Sequence, residues 1–299
     1  MEEYLKTLSN ATTRGMTASY LKKCAAYEEK YNTVLQDMTL DMLQDIFTNN
    51  FGDRISSAND AKTAVERYIR WVCNFTGTEY SGVISQINVD TIEKVKKSMV
   101  SSPYHLALLT DKLFNPLRNE TQHNLYRAML WLVYMGFTFN EATEITYDEV
   151  DLNDMVINHG DKSIEICREA FLPIKYVKNA KDFLVDQKRN SRKKRVDGDI
   201  FLSGIYKANM NLSVAGTAIK NLQEDTGTSI TIRSIELSGI FHRAYQIERA
   251  TGRIDFLEAV IMDGSLSYNP DNKSAFRRKV REVTRKYSED YQVWKRAFC

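Results

Sequence analysis

Ala128-Met-Leu-Trp-Leu-Val-Tyr-Met-Gly136-Phe-Thr-Phe-Asn-Glu141-Ala, followed shortly by Ile145-Thr-Tyr-Asp-Glu-Val-Asp-Leu152, is the most informative segment of the chain. Thr121 to Met135 predicts a helix that is apolar almost all round after Ala128, so it belongs in the centre of a core. Gly136 stops it. A left-handed cap, which only glycine adopts without steric cost, is expected there, making Gly136 a structural residue. Any larger side chain at that position, Glu above all, should give a heat-sensitive protein. A short helix near Asn140 to Ile145 follows. Met155 to Asn158 and Ser163 to Pro173 then read as strands around the turn His159-Gly160-Asp161, a β-hairpin signal.

Upstream, the first hundred residues read as a small helical bundle. Thr17 is placed to cap a helix from Ala18 to about Tyr31, and Thr39 to Thr48 fits a second. In the third, Asn59 to Phe75, residues Ala61, Ala64, Val65, Tyr68, Ile69, Val72 and Cys73 follow the amphipathic helical template, and Gly77 ends it. A fourth spans about Val89 to Val100. Ser101-Ser102-Pro103 is the best break, because proline and the residue before it resist continuing a helix. This divides the chain into a helical domain over residues 1–102 and a second domain over 103–299. Downstream, helices fit Ala180 to Gln187, Ser213 to Asp225, Ser234 to Arg249, Phe256 to Met262 and Lys273 to Phe298. The fold class is mainly α with a small β-hairpin or sheet.

Composition agrees. The 299 residues include only 13 Gly and 4 Pro, about half the usual combined share of about 12%. The longest apolar run, Ala128 to Phe137, is far short of the 18 or so residues that span a bilayer, and MEEYLKTLSN does not read as a signal peptide. No membrane partner is expected. Cys24, Cys73, Cys167 and Cys299 have neither metal nor redox spacing, so they read as reduced thiols of a cytosolic protein, with no metal or other cofactor. The formal charge of +2 conceals a division: net −1 over Met1 to Ser102, −6 over Pro103 to Leu172 and +9 over Pro173 to Cys299. Lys188, Arg189, Arg192, Lys193, Lys194 and Arg195 place six cations in eight residues. A second cluster comprises Lys273, Arg277, Arg278, Lys279, Arg281, Arg285 and Lys286. Such asymmetry suggests a polyanion partner, although either cluster alone also suits a solvated surface.

The order of a helical domain, a break, a buried helix ending in Gly, a short helix and a hairpin resembles the tyrosine recombinases of the phage integrase family. In that family an apolar helix leads into Gly-Leu-Arg-hydrophobic-Ser-Glu-Leu and then a Leu-Thr-Trp-x-Asp-hydrophobic-Asp segment, as Trp131 to Leu152 resembles here. Ile230-Thr-Ile-Arg-Ser-Ile-Glu-Leu-Ser-Gly239 is similar to the family's His-x-x-Arg box. The resemblance implies a two-domain clamp around duplex DNA. It also implies chemistry in which a tyrosine hydroxyl attacks a phosphodiester while two arginines hold the non-bridging oxygens and a hairpin Lys and a His move protons. It is closest to the recombinase-like master repressors of SPβ-type prophages.

On that alignment the chemistry is missing. Thr138 stands where the first arginine would, Arg233 where the His would, and Glu236 where the second arginine would. Loss of one such preorganised donor costs roughly 10²–10³ in rate. Both arginines are replaced, and the carboxylate of Glu236 would repel the phosphate. Lys162 and Arg168 are the hairpin cations, neither at a family offset. Tyr287 and Tyr291 are the late tyrosines, and the sequence does not choose between them. Arg233, Arg243 or Arg249 could substitute for a lost arginine. His105, His123, His159 and His242 show no pairing with a carboxylate or a nucleophile.

Binding can outlast cleavage, because phosphate contacts come from many scattered cations. Arg67, Arg70 and Asn74 lie at i, i+3 and i+7, opposite the Val65, Ile69 and Val72 stripe, and are the side-chain types that pair with guanine and adenine edges in the major groove. Arg14, Lys22 and Lys23 on the first helix, Lys94, Lys96 and Lys97 on the fourth, and the run from Lys188 to Arg195 are candidate phosphate contacts. The first function read from this pattern is a sequence-specific double-stranded DNA-binding protein, a phage or prophage repressor that maintains lysogeny in the cytoplasm of a bacterial host. The alternatives are an active integrase with a rebuilt site, and an accessory protein that pairs with itself or another phage protein through its C-terminal helix.

Overall fold

The computed structural model spans all 299 residues, and the structure is described for residues 1–51, 55–87, 92–111, 120–186, 200–202, 210–254, 256 and 273–299. It is mainly helical with one small antiparallel sheet. The chain forms two compact units: Met1–Val95 with Ser288–Ala297, and Lys96–Tyr287 with Phe298–Cys299.

The first unit contains α1 (Glu2–Thr7), α2 (Ala11–Tyr31), α3 (Leu40–Asn50) and α4 (Ile55–Thr76), with single 3-10 turns at Leu35–Asp37 and Val83–Gln86. Its core holds Leu21, Cys24, Leu43, Ile46, Phe47, Ala61, Val65, Ile69 and Cys73, so the apolar stripe of α4 does face inward. Gly77, at φ +71°, ends α4, and the Thr78 N–H reaches back to the Cys73 carbonyl at 2.9 Å. The expectation for α2 needs correcting: the helix begins seven residues before Ala18. Asn10, not Thr17, is its cap, accepting from the Thr13 N–H at 3.0 Å, while Thr17 lies buried inside the helix. α5 (Ile92–Ser98) ends two residues before the expected Val100, and the expected start at Val89 lies outside the described residues; Val95 is buried and Lys96 and Lys97 are exposed.

In the second unit, Pro103 opens α6 (Pro103–Asp111), at the position where a missing N–H costs nothing. The central helix α7 (Glu120–Met135) is fully covered from Ala128 to Phe137. Gly136 has φ +128°, a positive angle well beyond the left-handed helical cap expected for it but equally reserved for glycine. Its N–H and that of Phe137 both return to the Leu132 carbonyl, at 3.3 and 3.1 Å. α8 (Phe139–Glu144) follows, then a sheet in the order β1 (Val150–Asp151), β2 (Val156–His159) and β3 (Lys162–Glu165), with Val150 opposite Ile157 and Ile157 opposite Ile164. His159 pairs with Lys162 across a two-residue turn in which Gly160 has φ +57°.

The second strand of the hairpin stops at Glu165 instead of running to Pro173. Arg168 begins α9 (Arg168–Asp186), which continues through Pro173. Ala170, Ile174 and Val177 of α9 are buried in the same core as α7, and this burial outweighs the roughly 3 kcal/mol that an interior proline costs a helix. α10 (Leu212–Thr226), α11 (Ile232–Thr251) and α12 (Lys273–Phe298) complete the described helices. The helix expected from Phe256 to Met262 falls, after Phe256, outside the described residues.

Candidate functional site

The face proposed to read bases is built on α4. Arg67, Arg70 and Asn74 are all exposed, on the opposite side of the helix from the buried Val65, Ile69 and Cys73. Arg70 is held in place: its Nε and Nη2 donate to Glu66 Oε1 at 3.2 and 2.8 Å, and its guanidinium lies 4.4 Å from the ring centroid of Tyr80. Tyr80 in turn donates to the same carboxylate oxygen at 3.0 Å. With Arg70 as the leading cause, these donors hold the Glu66 carboxyl below its usual range against a smaller upward effect of burial. The two terminal nitrogens of a guanidinium are what match a guanine edge; here Nη2 is shared with Glu66 while the guanidinium as a whole is held in a fixed orientation.

The other candidate contacts fare differently. Arg14 donates through Nε and Nη2 to the Leu8 carbonyl at 3.2 and 2.7 Å, which closes the end of α1. Lys23 donates to the Asn50 carbonyl at 3.1 Å and lies 5.7 Å from the Phe51 ring. Lys22 is exposed on the same turn, and Lys94 is half-buried. Lys188, Arg189, Arg192, Lys193, Lys194 and Arg195 lie outside the described residues. On α12, Arg277, Arg278, Lys279, Arg281 and Arg285 are exposed.

The positions compared with recombinase catalytic residues fall into two groups. In the first, Thr138 is the N-cap of α8. Its hydroxyl accepts from the Glu141 N–H at 3.3 Å, and its own N–H donates to Glu141 Oε2 at 2.7 Å, a complete capping box. Lys162, at the start of β3, donates to Glu141 Oε2 at 2.7 Å and to the Gly136 carbonyl at 3.3 Å. Burial raises the Glu141 carboxyl, but Lys162 and the two Thr138 donors outweigh it and hold it below the usual carboxylate value. The hairpin cation is thus committed to fixing the end of α7 against the start of α8. Arg168 is not a hairpin residue; it lies exposed at the start of α9.

The second group contains Arg233, Glu236 and Tyr287. Thr231 caps α11, with its hydroxyl accepting from the Ser234 N–H at 3.1 Å and its own N–H donating to Ser234 Oγ at 2.8 Å. This fixes the first turn, which carries Arg233. Arg233 Nη1 donates to Glu236 Oε1 at 2.6 Å, and Nη2 donates to the Tyr287 hydroxyl at 2.7 Å. Tyr287 is 1% exposed and the Glu236 side chain 10%. Partial burial weakens the guanidinium's hold on its proton, yet the adjacent Tyr287 and Glu236 outweigh this and raise its pKa. The structure therefore distinguishes the two late tyrosines: Tyr287 touches this cluster. Tyr291 is fully buried and stacks on Trp294 at 6.1 Å, both within the first unit.

Of the other arginines, Arg243 donates to the Tyr134 carbonyl at 2.8 Å, and Arg249 lies 5.9 Å from the Tyr245 ring. One histidine expectation is corrected. His159 Nδ1 lies 3.0 Å from Glu149 Oε1, a pairing that sequence distance hid because β2 folds back over the β1 segment. Sequence reasoning also passed over Gly239. A Cβ there would lie 1.9 Å from the Tyr134 carbonyl oxygen, so glycine is what lets α11 approach α7. The available signal was a glycine inside an otherwise well-formed helix.

Neither a family model nor a curated protein matches the sequence. Solved structures similar to this chain include the XerA recombinase, at 13% identity and a TM-score of 0.40, covering 94% of this chain and 94% of that one. The integrase of mycobacterium phage Brujita is similar at 12% identity and a TM-score of 0.37, covering 96% of this chain and 94% of the integrase. The Tn1549 transposon integrase in complex with a circular intermediate DNA is similar at 10% identity and a TM-score of 0.36, covering 83% of this chain and 87% of that one. Among the described residues, no helix is long and apolar enough to cross a membrane.

Proposed function

We propose that this chain is a sequence-specific double-stranded DNA-binding protein of tyrosine-recombinase-like architecture, acting as a phage or prophage repressor by occupying operators in the bacterial cytoplasm, without cutting DNA. The observation that carries the reading is the Arg233–Glu236–Tyr287 cluster. A strand-cleaving site needs unengaged cations where the phosphate will sit and a hydroxyl free to attack. Here both terminal nitrogens of Arg233 are engaged inside the chain and Tyr287 is buried against one of them; on the family resemblance, the Glu236 carboxylate stands where the second phosphate-binding arginine would. Thr138, in place of the first, is occupied with a helix cap. On α4, by contrast, Arg67, Arg70 and Asn74 all lie on an exposed face, although Arg70 must share its guanidinium with Glu66.

Two measurements on the full chain test this. Mobility-shift assays with fragments of the encoding prophage should show preference over random-sequence DNA at physiological salt. A nicked suicide substrate should trap no covalent protein–DNA adduct. No sequence preference sinks the repressor reading. An adduct that disappears in Tyr287→Phe or Tyr291→Phe sinks the non-catalytic reading in favour of an integrase with a rebuilt site.

A further inference from the structure

The face of α4 that carries Arg67, Arg70 and Asn74 does not end with them. One residue on, about 100° further round the helix, Phe75 exposes 69% of its surface, the most of any phenylalanine described. It is not a loose end. Its ring is stacked on that of Trp71 at 5.3 Å with the planes 13° apart, and Trp71 leans on the buried Tyr4 of α1 at 5.6 Å. The result is a ladder of three rings rooted in the core of the first unit, with the last ring ordered from one side and open on the other. On the far side of Asn74, Arg70 is ordered in the same manner by Glu66 and Tyr80. The exposed arc thus runs from a fixed guanidinium through a carboxamide to a fixed apolar ring.

In the major groove these three groups have distinct counterparts: a guanine edge, an adenine edge, and the 5-methyl group of thymine, the one apolar feature the groove presents. Resting on the DNA-binding reading above, we infer that Phe75 is a specificity-determining residue whose ring packs on a thymine methyl next to the adenine that Asn74 holds. The arrangement explains why a large apolar ring is kept in water on this face. A ring already stacked on Trp71 gives up little rotational freedom when it covers a methyl, whereas a flexible side chain would lose more.

The test begins with the duplex that the full chain enriches from a random-sequence library, and then replaces each thymine of that duplex in turn by deoxyuridine, which removes the methyl and nothing else. Wild type should bind one of these duplexes about fourfold more weakly, the equivalent of losing about 0.8 kcal/mol for one buried methyl-sized group. Phe75→Ala should bind the unsubstituted duplex at least about fourfold more weakly and should show no further loss from deoxyuridine at that position. Phe75→Leu, which keeps an apolar side chain, should retain part of the sensitivity. The wild-type scan needs no variant, so a folding defect in Phe75→Ala leaves it intact. If the library enriches nothing, the DNA-binding reading fails and takes this inference with it. If a duplex is enriched but no thymine methyl matters, or the sensitivity persists undiminished in Phe75→Ala and Phe75→Leu, the inference alone is overturned.

Discussion

Replacing Gly239 by alanine sets two well-characterised effects against each other. Taken as a residue of an isolated helix, Gly239→Ala should stabilise α11 by about 1 kcal/mol. In the folded chain the new Cβ would lie 1.9 Å from the Tyr134 carbonyl oxygen, 2.8 Å from its carbon and 3.2 Å from Arg243 Nη1. Favourable separations are about 3.5 Å or more, so α11 must retreat from α7 by roughly 1.5 Å. The first two atoms are backbone, which places the strain at the upper end of the roughly 1–3 kcal/mol seen for overpacking. The same retreat pulls Arg243 from the Tyr134 carbonyl, now 2.8 Å away. That bond from a charged donor is worth about 1.5–3 kcal/mol. After subtracting the gain in helix propensity, the net destabilisation is about 3.5–5 kcal/mol. For a unit of this size that corresponds to a fall of roughly 10 °C in the thermal midpoint, read by calorimetry or circular dichroism. Gly216→Ala is the control: it lies in α10 of the same unit, a Cβ there meets nothing within 4 Å, and its midpoint should hold or rise. A Gly239→Ala protein that melts at or above wild type would refute the close approach of the two helices.

Gly136→Ala, at φ +128°, should cost about 1–3 kcal/mol and lower the thermal midpoint while leaving DNA affinity at low temperature unchanged; equal midpoints would count against a strained backbone there. Glu141 is held below the usual carboxylate value, so the folded state binds fewer protons than the unfolded chain near that pH. Its contribution is therefore present above the unfolded value, and is lost as pH falls through the folded one. Glu141→Gln should thus lower the urea midpoint at neutral pH, with the difference from wild type shrinking as the pH is taken below the usual carboxylate range, and a difference independent of pH would exclude the Lys162 pairing as the cause. Arg67→Ala or Arg70→Ala should each lose about 1–3 kcal/mol of specific binding with little change on random DNA, as measured by mobility shift. Neutralising the cations between Lys188 and Arg195 should weaken binding to all sequences alike and flatten its salt dependence; an unchanged salt slope would remove that segment from the interface.

What the sequence discloses depends on how much of the signal is local. The α4 and α7 helices were legible because one has a regular apolar stripe and the other is apolar all round, and each ends at a glycine of positive φ. The true start of α2 was not, since Ala11 to Met16 carries no apolar period and only the side chain of Asn10 marks the boundary. The run from Cys167 to Pro173 was misread as strand because proline argues against a helix interior, and the contacts that overrule it, Ile174 and Val177 against the core around α7, are non-local. The site divides the same way. The exposure of Arg67, Arg70 and Asn74 followed from helical spacing alone. The ring of Tyr80 against Arg70, and the choice of Tyr287 over Tyr291 as the tyrosine beside Arg233, depend on residues 10 and 54 positions away.

On the proposed alignment with the recombinase box, the residue types at 233 and 236 also bear on how such a site would lose its chemistry. Removing an arginine from a phosphate-binding site would leave a hole and take away positive charge that the phosphate needs. Here a cation at 233 and an anion at 236 sit one turn apart on α11, so the replacement side chains neutralise each other at 2.6 Å. The remaining guanidinium nitrogen then satisfies the buried Tyr287 hydroxyl. A preorganised catalytic site keeps donors aimed at a group that has yet to arrive. In this cluster the donors already have their acceptors within the chain, and a phosphate entering it would have to displace a carboxylate that repels it. One guanidinium serves both the Glu236 carboxylate and the Tyr287 hydroxyl, so Arg233 ties the first turn of α11 to α12.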